Sequence, residues 1–305
     1  MERPIKLGNN ANAQGAKPKM SMGVLTYHDL VKTFQSLEID PASPIIAHAS
    51  LRAFGWVHGG PQAMVGALLT SFATVMMPVF TYKTMVTPEV GPPNNALRYG
   101  DHHDANRLAE IYHADMPADP LMGIIPETLR THPKARRSRH PILSFTGVHA
   151  EQALESQTFN DPLAPIRILA EKGGWVLLIG TDHRTNTSIH LAERLAGRKQ
   201  FVRWAMTGPG IVQCSGFPGC SEGFQAIAPD LRQTGALRIA RLNSGEVHAI
   251  PLEILISVVQ GRLRTDPLAL LCDYSDCMRC QATRDSLRSP ASIPFDGANS
   301  RSEKQ

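Results

Sequence analysis

The chain has 305 residues, a length that excludes a miniprotein held together by disulfides. Of these residues, 42% are hydrophobic and 19% are charged, a composition that argues against a fibrous protein or one that is disordered along most of its length. Lysine and arginine exceed aspartate and glutamate by four, which is far from the basicity of a protein that coats nucleic acid. No apolar run approaches the roughly 18 residues that span a bilayer, and residues 1–22 lack the apolar core of a signal peptide. We therefore expect a cytoplasmic protein, a monomer or homodimer, that binds neither nucleic acid nor a membrane.

The first third of the chain predicts a helix followed by a parallel crossover. Residues 1–22 are expected to be disordered, and a helix begins after Thr26, a suitable N-cap. The apolar run at 44–50 predicts a buried strand that leads into a polar loop. A helix at 62–72 and a strand at 73–80 follow, and the order strand, helix, strand predicts parallel pairing.

The middle of the chain alternates polar segments with one strong strand. Residues 81–120 contain several prolines and few apolar runs, which predicts a long, lid-like loop. The basic stretch at 130–140 is open to two interpretations, a solvated surface turn or an anion-binding segment. The run at 175–180 predicts a buried strand, and the polar loop and helix after it lie where α/β sheets usually bind ligands.

The last third predicts a strand pair, a helix and a tail. Residues 237–241 and 246–250 are expected to pair across the turn Asn243-Ser244-Gly245, and a helix is expected at 251–263. Residues 285–305 are expected to be a disordered tail. Together these elements predict an α/β fold, a single domain at 23–284 with a mostly parallel central sheet flanked by helices.

One helical motif carries acid–base chemistry. His190 and Glu193 are three residues apart in the helix predicted after the strand at 175–180, so they share one face. A carboxylate beside a histidine fixes the imidazole tautomer, as a general base requires. A surface ion pair is the alternative interpretation of this spacing. If His183 joined the pair, two histidines and a carboxylate could instead hold a metal and make the protein a hydrolase.

All five cysteines lie in the last third of the chain. They are Cys214, Cys220, Cys272, Cys277 and Cys280. The odd number favours reduced thiols or a metal site over a disulfide framework. The last three have spacings typical of a metal site, and a structural zinc needs a fourth ligand, which Cys220 or a histidine could supply. A set of inert or redox-reactive thiols is the alternative.

Five segments, in order, resemble the aminoglycoside 3-N-acetyltransferases, also called the antibiotic N-acetyltransferase family. They are AHASLRAFGWVHGGP (47–61), MPVFTY (77–82), MGIIPETLR (122–130), RSRHPILSF (137–145) and the segment with His190 and Glu193. The chain departs from the usual pattern at Ala49, where many members have a second serine. The resemblance covers about residues 26–263, and it implies a fold different from that of the GNAT acetyltransferases.

The resemblance implies acetyl transfer from acetyl-CoA to an amine, directly and without an acyl-enzyme. By position, His190 corresponds to the family's catalytic base and Glu193 to the partner that orients it. The CoA site corresponds to four residues, Ser50, Arg52, Ser138 and His140. Three acidic residues of the lid-like loop could help to bind a polycationic amine. They are Asp104, Asp115 and Asp119.

The sequence therefore predicts an acetyl-CoA-dependent N-acetyltransferase that acts on an aminoglycoside-like small molecule. Three alternatives stay open at this point. The acceptor could be a different amine of secondary metabolism, the protein could be the metal-dependent hydrolase described above, or it could be a catalytically silent scaffold.

Overall fold

A computed structural model describes residues 23–100 and 103–288, with the backbone alone for residues 103 and 105. The helices are α1 (Tyr27–Gln35), α2 (Gly60–Ser71), α3 (His103–Arg107), α4 (Ile124–Arg130), α5 (Glu151–Glu155), α6 (Ala164–Glu171), α7 (Ser188–Leu195), α8 (Ala228–Gln233), α9 (Leu252–Thr265) and α10 (Met278–Arg288). The strands are β1 (Ile45–Ala49), β2 (Val75–Pro78), β3 (Met85–Val86), β4 (Arg136–Arg137), β5 (Phe145–Val148), β6 (Trp175–Ile179), β7 (Phe201–Thr207), β8 (Gly210–Phe217), β9 (Arg238–Leu242) and β10 (Gly245–Pro251).

A seven-stranded sheet with the order β4-β5-β2-β1-β6-β10-β9 forms the centre of the fold. β1 pairs in parallel with both β2 and β6, whereas β5 and β10 run antiparallel to their neighbours. β4 and β9 reverse direction once more, so five of the seven strands point the same way. The predicted α/β fold with a parallel core is confirmed.

The central strands are apolar on both faces because helices cover the sheet on both sides. In β6, Val176 and Leu178 pack into one apolar cluster while Leu177 and Ile179 pack into the other. One cluster includes residues of α6, α7 and α9, and the other includes residues of α1, α2 and α4. The alternation of side chains along each strand therefore supplies both cores at once.

Local sequence signals account for several element ends. Thr26 accepts a hydrogen bond from the N–H of Asp29, whose carboxylate accepts one from the N–H of Thr26, so α1 begins with a capping box. Asn243 has a φ of 52° in the turn between β9 and β10, a conformation that asparagine tolerates better than most residues. Both features agree with the predictions for these segments.

The segment predicted as a long loop contributes to a second sheet. β3 pairs antiparallel with β7, and β7 pairs with β8, which gives a three-stranded sheet beside the main one. The region also holds α3 and a short 3-10 helix at Pro120–Met122. Residues 81–120 are thus rich in loops, but they also contribute a strand to the small sheet and contain short helices.

Both predicted disordered termini lie largely outside the described residues. Residues 1–22 and 289–305 are not described, but α10 continues to Arg288, beyond the predicted start of the tail at residue 285. Arg284 donates a hydrogen bond of 2.6 Å to the carbonyl of Cys272, which fastens this helix to the preceding loop. None of the helices within residues 23–100 and 103–288 is long and apolar enough to cross a membrane.

Candidate active site

The carboxyl ends of the three parallel strands meet at one edge of the sheet. β1 ends at Ala49 and leads into a 3-10 helix at Leu51–Phe54, and β6 ends at Ile179 and leads towards α7. The N–H of Ser50 donates to the carbonyl of Ile179 at 2.9 Å, which joins the two strand ends. Open α/β sheets bind ligands at this edge, so it is the first place to look for a site.

Gly180 allows the loops after β1 and β6 to meet. It has a φ of +63°, and a Cβ placed on it would lie 2.6 Å from Ala53 Cβ, 2.7 Å from the ring of Phe54 and 2.8 Å from the carbonyl oxygen of Ser50. Both the backbone conformation and the close approach require glycine. The position of the loop at 50–54 therefore depends on this residue.

Gly180→Ala is expected to lower the free energy of unfolding by about 2–4 kcal/mol, because strain at positive φ adds to displacement of the Phe54 loop. Gly173→Ala is a matched control, since Gly173 has a φ of +69° and a Cβ placed on it would have nothing within 4 Å. The control is expected to lose only about 1 kcal/mol. Urea unfolding of both variants measures the difference, and equal losses would show that the contact with the loop is unimportant.

His190 and Glu193 form a buried pair on α7. His190 Nδ1 lies 2.9 Å from Glu193 Oε2, and the two residues are 8% and 2% exposed. The ring of Phe224 packs edge-on against the imidazole, with 4.6 Å between the ring centroids. The prediction that these two side chains share a helix face is confirmed by the geometry, and their burial excludes a surface ion pair.

Arg198 holds the far side of the carboxylate. Its guanidinium donates to Glu193 Oε1 at 2.8 Å and to the carbonyls of Pro267 and Ala269 at 2.6 and 2.9 Å. Glu193 therefore has the partners of an ionised carboxylate, and an ionised carboxylate only accepts hydrogen bonds. His190 must then donate from Nδ1, which leaves the lone pair on Nε2 in the neutral ring. This is the arrangement of a general base with an orienting partner.

Of the residues predicted for a CoA site, Ser50 and Arg52 lie in the loop after β1. Ser50 is half-buried and Arg52 is exposed. Ser138 is buried, and its Oγ accepts a hydrogen bond of 2.8 Å from the N–H of Phe145, so the hydroxyl holds the start of β5. A role for any of these residues towards CoA stays a prediction.

His140 is buried beside the same edge with one ring nitrogen unpartnered. Its Nδ1 accepts hydrogen bonds from the N–H groups of Ile142 and Leu143 at 3.1 and 2.9 Å, so the proton lies on Nε2. Nε2 is buried without a partner among the described residues. Burial lowers the pKa of His140 to about 3, so the ring is neutral and offers one free N–H donor.

The three predicted acids have different surroundings. Asp104 is exposed on α3, and Asp115 is exposed and acts electrostatically on Arg130 and Arg137. Asp119 caps the 3-10 helix at Pro120–Met122, where its side chain accepts a hydrogen bond from the N–H of Leu121. Its carboxylate also interacts electrostatically with Tyr82, which follows β2. Asp119 and Asp115 are thus linked, through Tyr82 and Arg137 respectively, to the carboxyl end of β2.

His183 is paired elsewhere and does not join the dyad in a metal site. Its Nδ1 lies 3.3 Å from Asn186 Nδ2, and burial lowers the pKa of the imidazole to about 4. Within residues 23–100 and 103–288, the only group of three or more metal-binding side chains comprises four cysteines. The structure therefore gives no support to the hydrolase alternative.

The four cysteines are Cys220, Cys272, Cys277 and Cys280, and their sulfur atoms all lie within 4.8 Å of one another. Cys220 is therefore the fourth member of the predicted cluster, in place of a histidine. Cys214 is buried separately in β8, where burial raises the pKa of its thiol to about 12.

Comparison with known proteins identifies the family. The sequence model for aminoglycoside 3-N-acetyltransferases matches residues 46–264. The aminoglycoside N(3)-acetyltransferase VIII of Streptomyces fradiae is 28% identical over 267 residues, which are 74% of this chain and 87% of that protein. The aminoglycoside N(3)-acetyltransferase IX of Micromonospora chalcea is 30% identical, over 72% of this chain and 85% of the relative.

The chain belongs to the aminoglycoside 3-N-acetyltransferase family. It is accordingly an acetyltransferase, as the resemblance of its motifs implied. The fold agrees, since the aminoglycoside acetyltransferase AAC(3)-IVa in its apoenzyme form superposes with a TM-score of 0.71. That comparison covers 87% of this chain and 98% of the other, at 23% sequence identity.

Two arginines of this acetyltransferase were missed by the sequence interpretation. Arg198 follows the glycine that ends the turn after α7, and a cation there was the available signal for a partner of Glu193. Arg137 was assigned to a basic stretch, yet its guanidinium donates to Ser144 Oγ and to the carbonyls of Val79, Ala114 and Met116. It joins the lid segment to the ends of β2 and β5, so this part of the stretch is not a solvated turn.

Proposed function

We propose that this acetyltransferase transfers the acetyl group of acetyl-CoA directly to an amine of an aminoglycoside, with His190 as the general base. The observation that carries the proposal is the buried chain of hydrogen bonds from His190 through Glu193 to Arg198. Relatives named aminoglycoside N(3)-acetyltransferases support the substrate class. Among proteins of similar fold, AAC-IIIb was solved with CoASH, and others with apramycin and sisomicin.

In this mechanism the nitrogen of the substrate attacks the thioester carbonyl while His190 Nε2 accepts a proton from it. A carbon–nitrogen bond forms and the carbon–sulfur bond then breaks, and the imidazolium returns its proton to the departing sulfur. Glu193 stabilises the imidazolium because its carboxylate lies 2.9 Å from Nδ1. Arg198 holds that carboxylate in place through its hydrogen bond to Glu193 Oε1, so an acceptor is already oriented towards His190 when the imidazole takes up the proton.

Direct transfer is favoured over an acyl-enzyme because the dyad has no nucleophile attached to it. In a covalent mechanism the base hydrogen-bonds with a serine, threonine or cysteine. Among the described residues, the hydrogen-bond partner of His190's side chain is Glu193. The complete and buried dyad also argues against a catalytically silent scaffold.

The proposed CoA site follows the same edge of the sheet. Arg52 offers a guanidinium to the phosphates, which bind such cations through charge-assisted hydrogen bonds. The unpartnered Nε2–H of His140 suits an acceptor oxygen of the ligand, since a buried donor without a partner is unfavourable. Ser50 and Ser138 would shape the loops that carry these two residues. Asp119, with Asp104 and Asp115 earlier in the lid segment, would attract the cationic amine.

The proposal is tested by measuring thiol release from acetyl-CoA with a panel of amines. The panel contains an aminoglycoside with a free 3-amino group, the same compound already acetylated at that position, and simple monoamines. We expect turnover with the first compound alone, and product analysis should place the acetyl group on the 3-amine. Equal turnover with monoamines would point to a different acceptor, and no thiol release with any amine would refute the proposal.

Arg52→Ala is expected to raise the KM for acetyl-CoA by about 10-fold and to leave the KM for the amine unchanged, because a single phosphate contact is lost. Arg264→Ala is the matched control, since it removes the same charge from an exposed position at the end of α9. Steady-state kinetics and calorimetry with CoA measure the effect. Unchanged CoA affinity in Arg52→Ala would place the phosphates elsewhere.

A further inference from the structure

Two distant parts of the chain meet at the four cysteines. Cys220 lies in the loop after β8, Cys272 and Cys277 lie in the loop between α9 and α10, and Cys280 lies in the first turn of α10. All four are free thiols, three of them buried and Cys277 half-buried. Four thiols that converge from two parts of the chain form a set of possible ligands, whereas isolated buried cysteines are scattered through a core.

The size of the cluster fits a tetrahedral metal. Thiolates bind zinc at about 2.3 Å, so neighbouring sulfur atoms of a tetrahedral site are about 3.8 Å apart. The sulfur atoms of Cys272 and Cys280 are 3.5 Å apart, and all pairs lie within 4.8 Å. Shifts of about 1 Å or less would therefore complete the site, without a change of backbone fold.

The surroundings of the sulfur atoms also suit a metal centre. The N–H of Glu222 donates to Cys220 Sγ at 3.5 Å, and the N–H of Tyr274 makes the equivalent contact with Cys272, two residues along the chain in both cases. Backbone N–H groups of this kind stabilise the charge of metal-bound thiolates. Arg279 donates to the carbonyl of Gly219 at 3.0 Å, which places a cation beside a site whose four thiolates and one zinc carry two negative charges.

We propose that Cys220, Cys272, Cys277 and Cys280 bind one structural zinc ion that joins the loop after β8 to the C-terminal segment. Binding releases the four thiol protons to solvent, with no change of oxidation state. Four thiolates fill the coordination sphere and leave no open position for a substrate, so the ion is structural and not catalytic. This proposal rests on the cluster alone and is independent of the proposed function.

Of the two segments joined by the zinc, one contacts the dyad and the other contacts Arg198, which holds Glu193. Phe224, four residues after Cys220, packs against His190, and Ala269, three residues before Cys272, accepts a hydrogen bond from Arg198. The zinc therefore fixes the distance between the two supports of the dyad. Hydrogen exchange at 218–224 and 268–280 is expected to slow when zinc binds.

Elemental analysis of the full-length protein, purified in reductant without chelator or added metal, is expected to give about one zinc per chain. The reduced protein, stripped of metal and titrated with zinc(II), is expected to take up one equivalent and to unfold at a higher temperature. Cys277→Ser changes the least buried ligand and is expected to weaken zinc binding by more than about 100-fold. Cys214→Ala removes a thiol outside the cluster and is expected to keep one zinc.

Three results would overturn the proposal. They are a reduced protein that takes up less than a tenth of an equivalent of zinc(II), a preparation that contains iron in place of zinc, and equal zinc affinity in Cys277→Ser and the parent. If Cys277→Ser fails to fold, uptake of zinc by the stripped parental protein decides the question. Loss of acetyl transfer with normal zinc uptake would count against the proposed function alone.

Discussion

His190→Ala is expected to lower the kcat for acetyl transfer by about 100- to 10,000-fold, the usual contribution of a general base. The substrate amine must then lose its proton to solvent before it attacks. The remaining activity should therefore rise with pH until the amine itself is unprotonated, whereas the KM for acetyl-CoA should stay near the parental value. Thiol release at saturating concentrations of both substrates measures this effect.

Glu193→Gln is expected to have a smaller effect on kcat, because the base remains and only its orientation and charge partner are lost. The double variant should be little worse than His190→Ala, since residues that act as a unit are not additive. Thermal unfolding is measured alongside, because the substitution leaves the buried cation of Arg198 unpaired. The control is His28→Ala, a change at an exposed histidine of α1. Parental turnover in a folded His190→Ala protein would exclude the mechanism.

Lowering the pH from 7 to about 5 is expected to reduce the free energy of unfolding by about 6 kcal/mol, through three buried histidines. Burial lowers the pKa of His48 and His140 to about 3 and that of His183 to about 4, from the ordinary 6.5. Below pH 6.5 the unfolded chain takes up these protons and the folded protein does not. The stability is therefore complete above pH 6.5 and falls as the pH drops towards the folded-state pKa values, by about 2 kcal/mol for each histidine at pH 5.

Urea unfolding between pH 5 and pH 8 measures this dependence. His140→Asn keeps an acceptor where Nδ1 receives its two hydrogen bonds and removes one titrating group, so it should reduce the slope by about one third. His28→Gln changes an exposed histidine and should leave the slope unchanged. A parental slope of less than about 1.4 kcal/mol per pH unit, the value for one proton, would contradict the prediction.

Local chemistry in the sequence predicted the first helix, the parallel core and the β9–β10 turn. Thr26 caps α1 through contacts within a few residues, and the largely apolar β1 and the apolar run of β6 reflect burial on both faces. The small sheet was missed for two reasons. β3 has only two residues, and Arg203 points inward on β7 and packs against the rings of Phe201 and Phe217, so a charged residue interrupts the apolar alternation.

The dyad could be predicted because both of its members lie on one helix turn, whereas its support could not. The contacts of Arg198 with Pro267 and Ala269 join residues about 70 positions apart, and no local pattern indicates them. The contacts of Arg137 could not be predicted from the local sequence either. A run of basic residues favours a solvated surface, and only the fold reveals the carbonyl groups that meet this guanidinium.

The hydrogen bond by which Arg198 holds Glu193 also bears on how much of the chain acetyl transfer requires. The match to the family's sequence model ends at residue 264, but the carbonyls that accept hydrogen bonds from Arg198 belong to Pro267 and Ala269. A protein shortened to the shared region would keep His190, Glu193 and Arg198 and would lose the groups that orient the arginine. The sequence match thus covers less of the chain than the contacts of Arg198 require, and a shortened or grafted domain should retain the chain through α10.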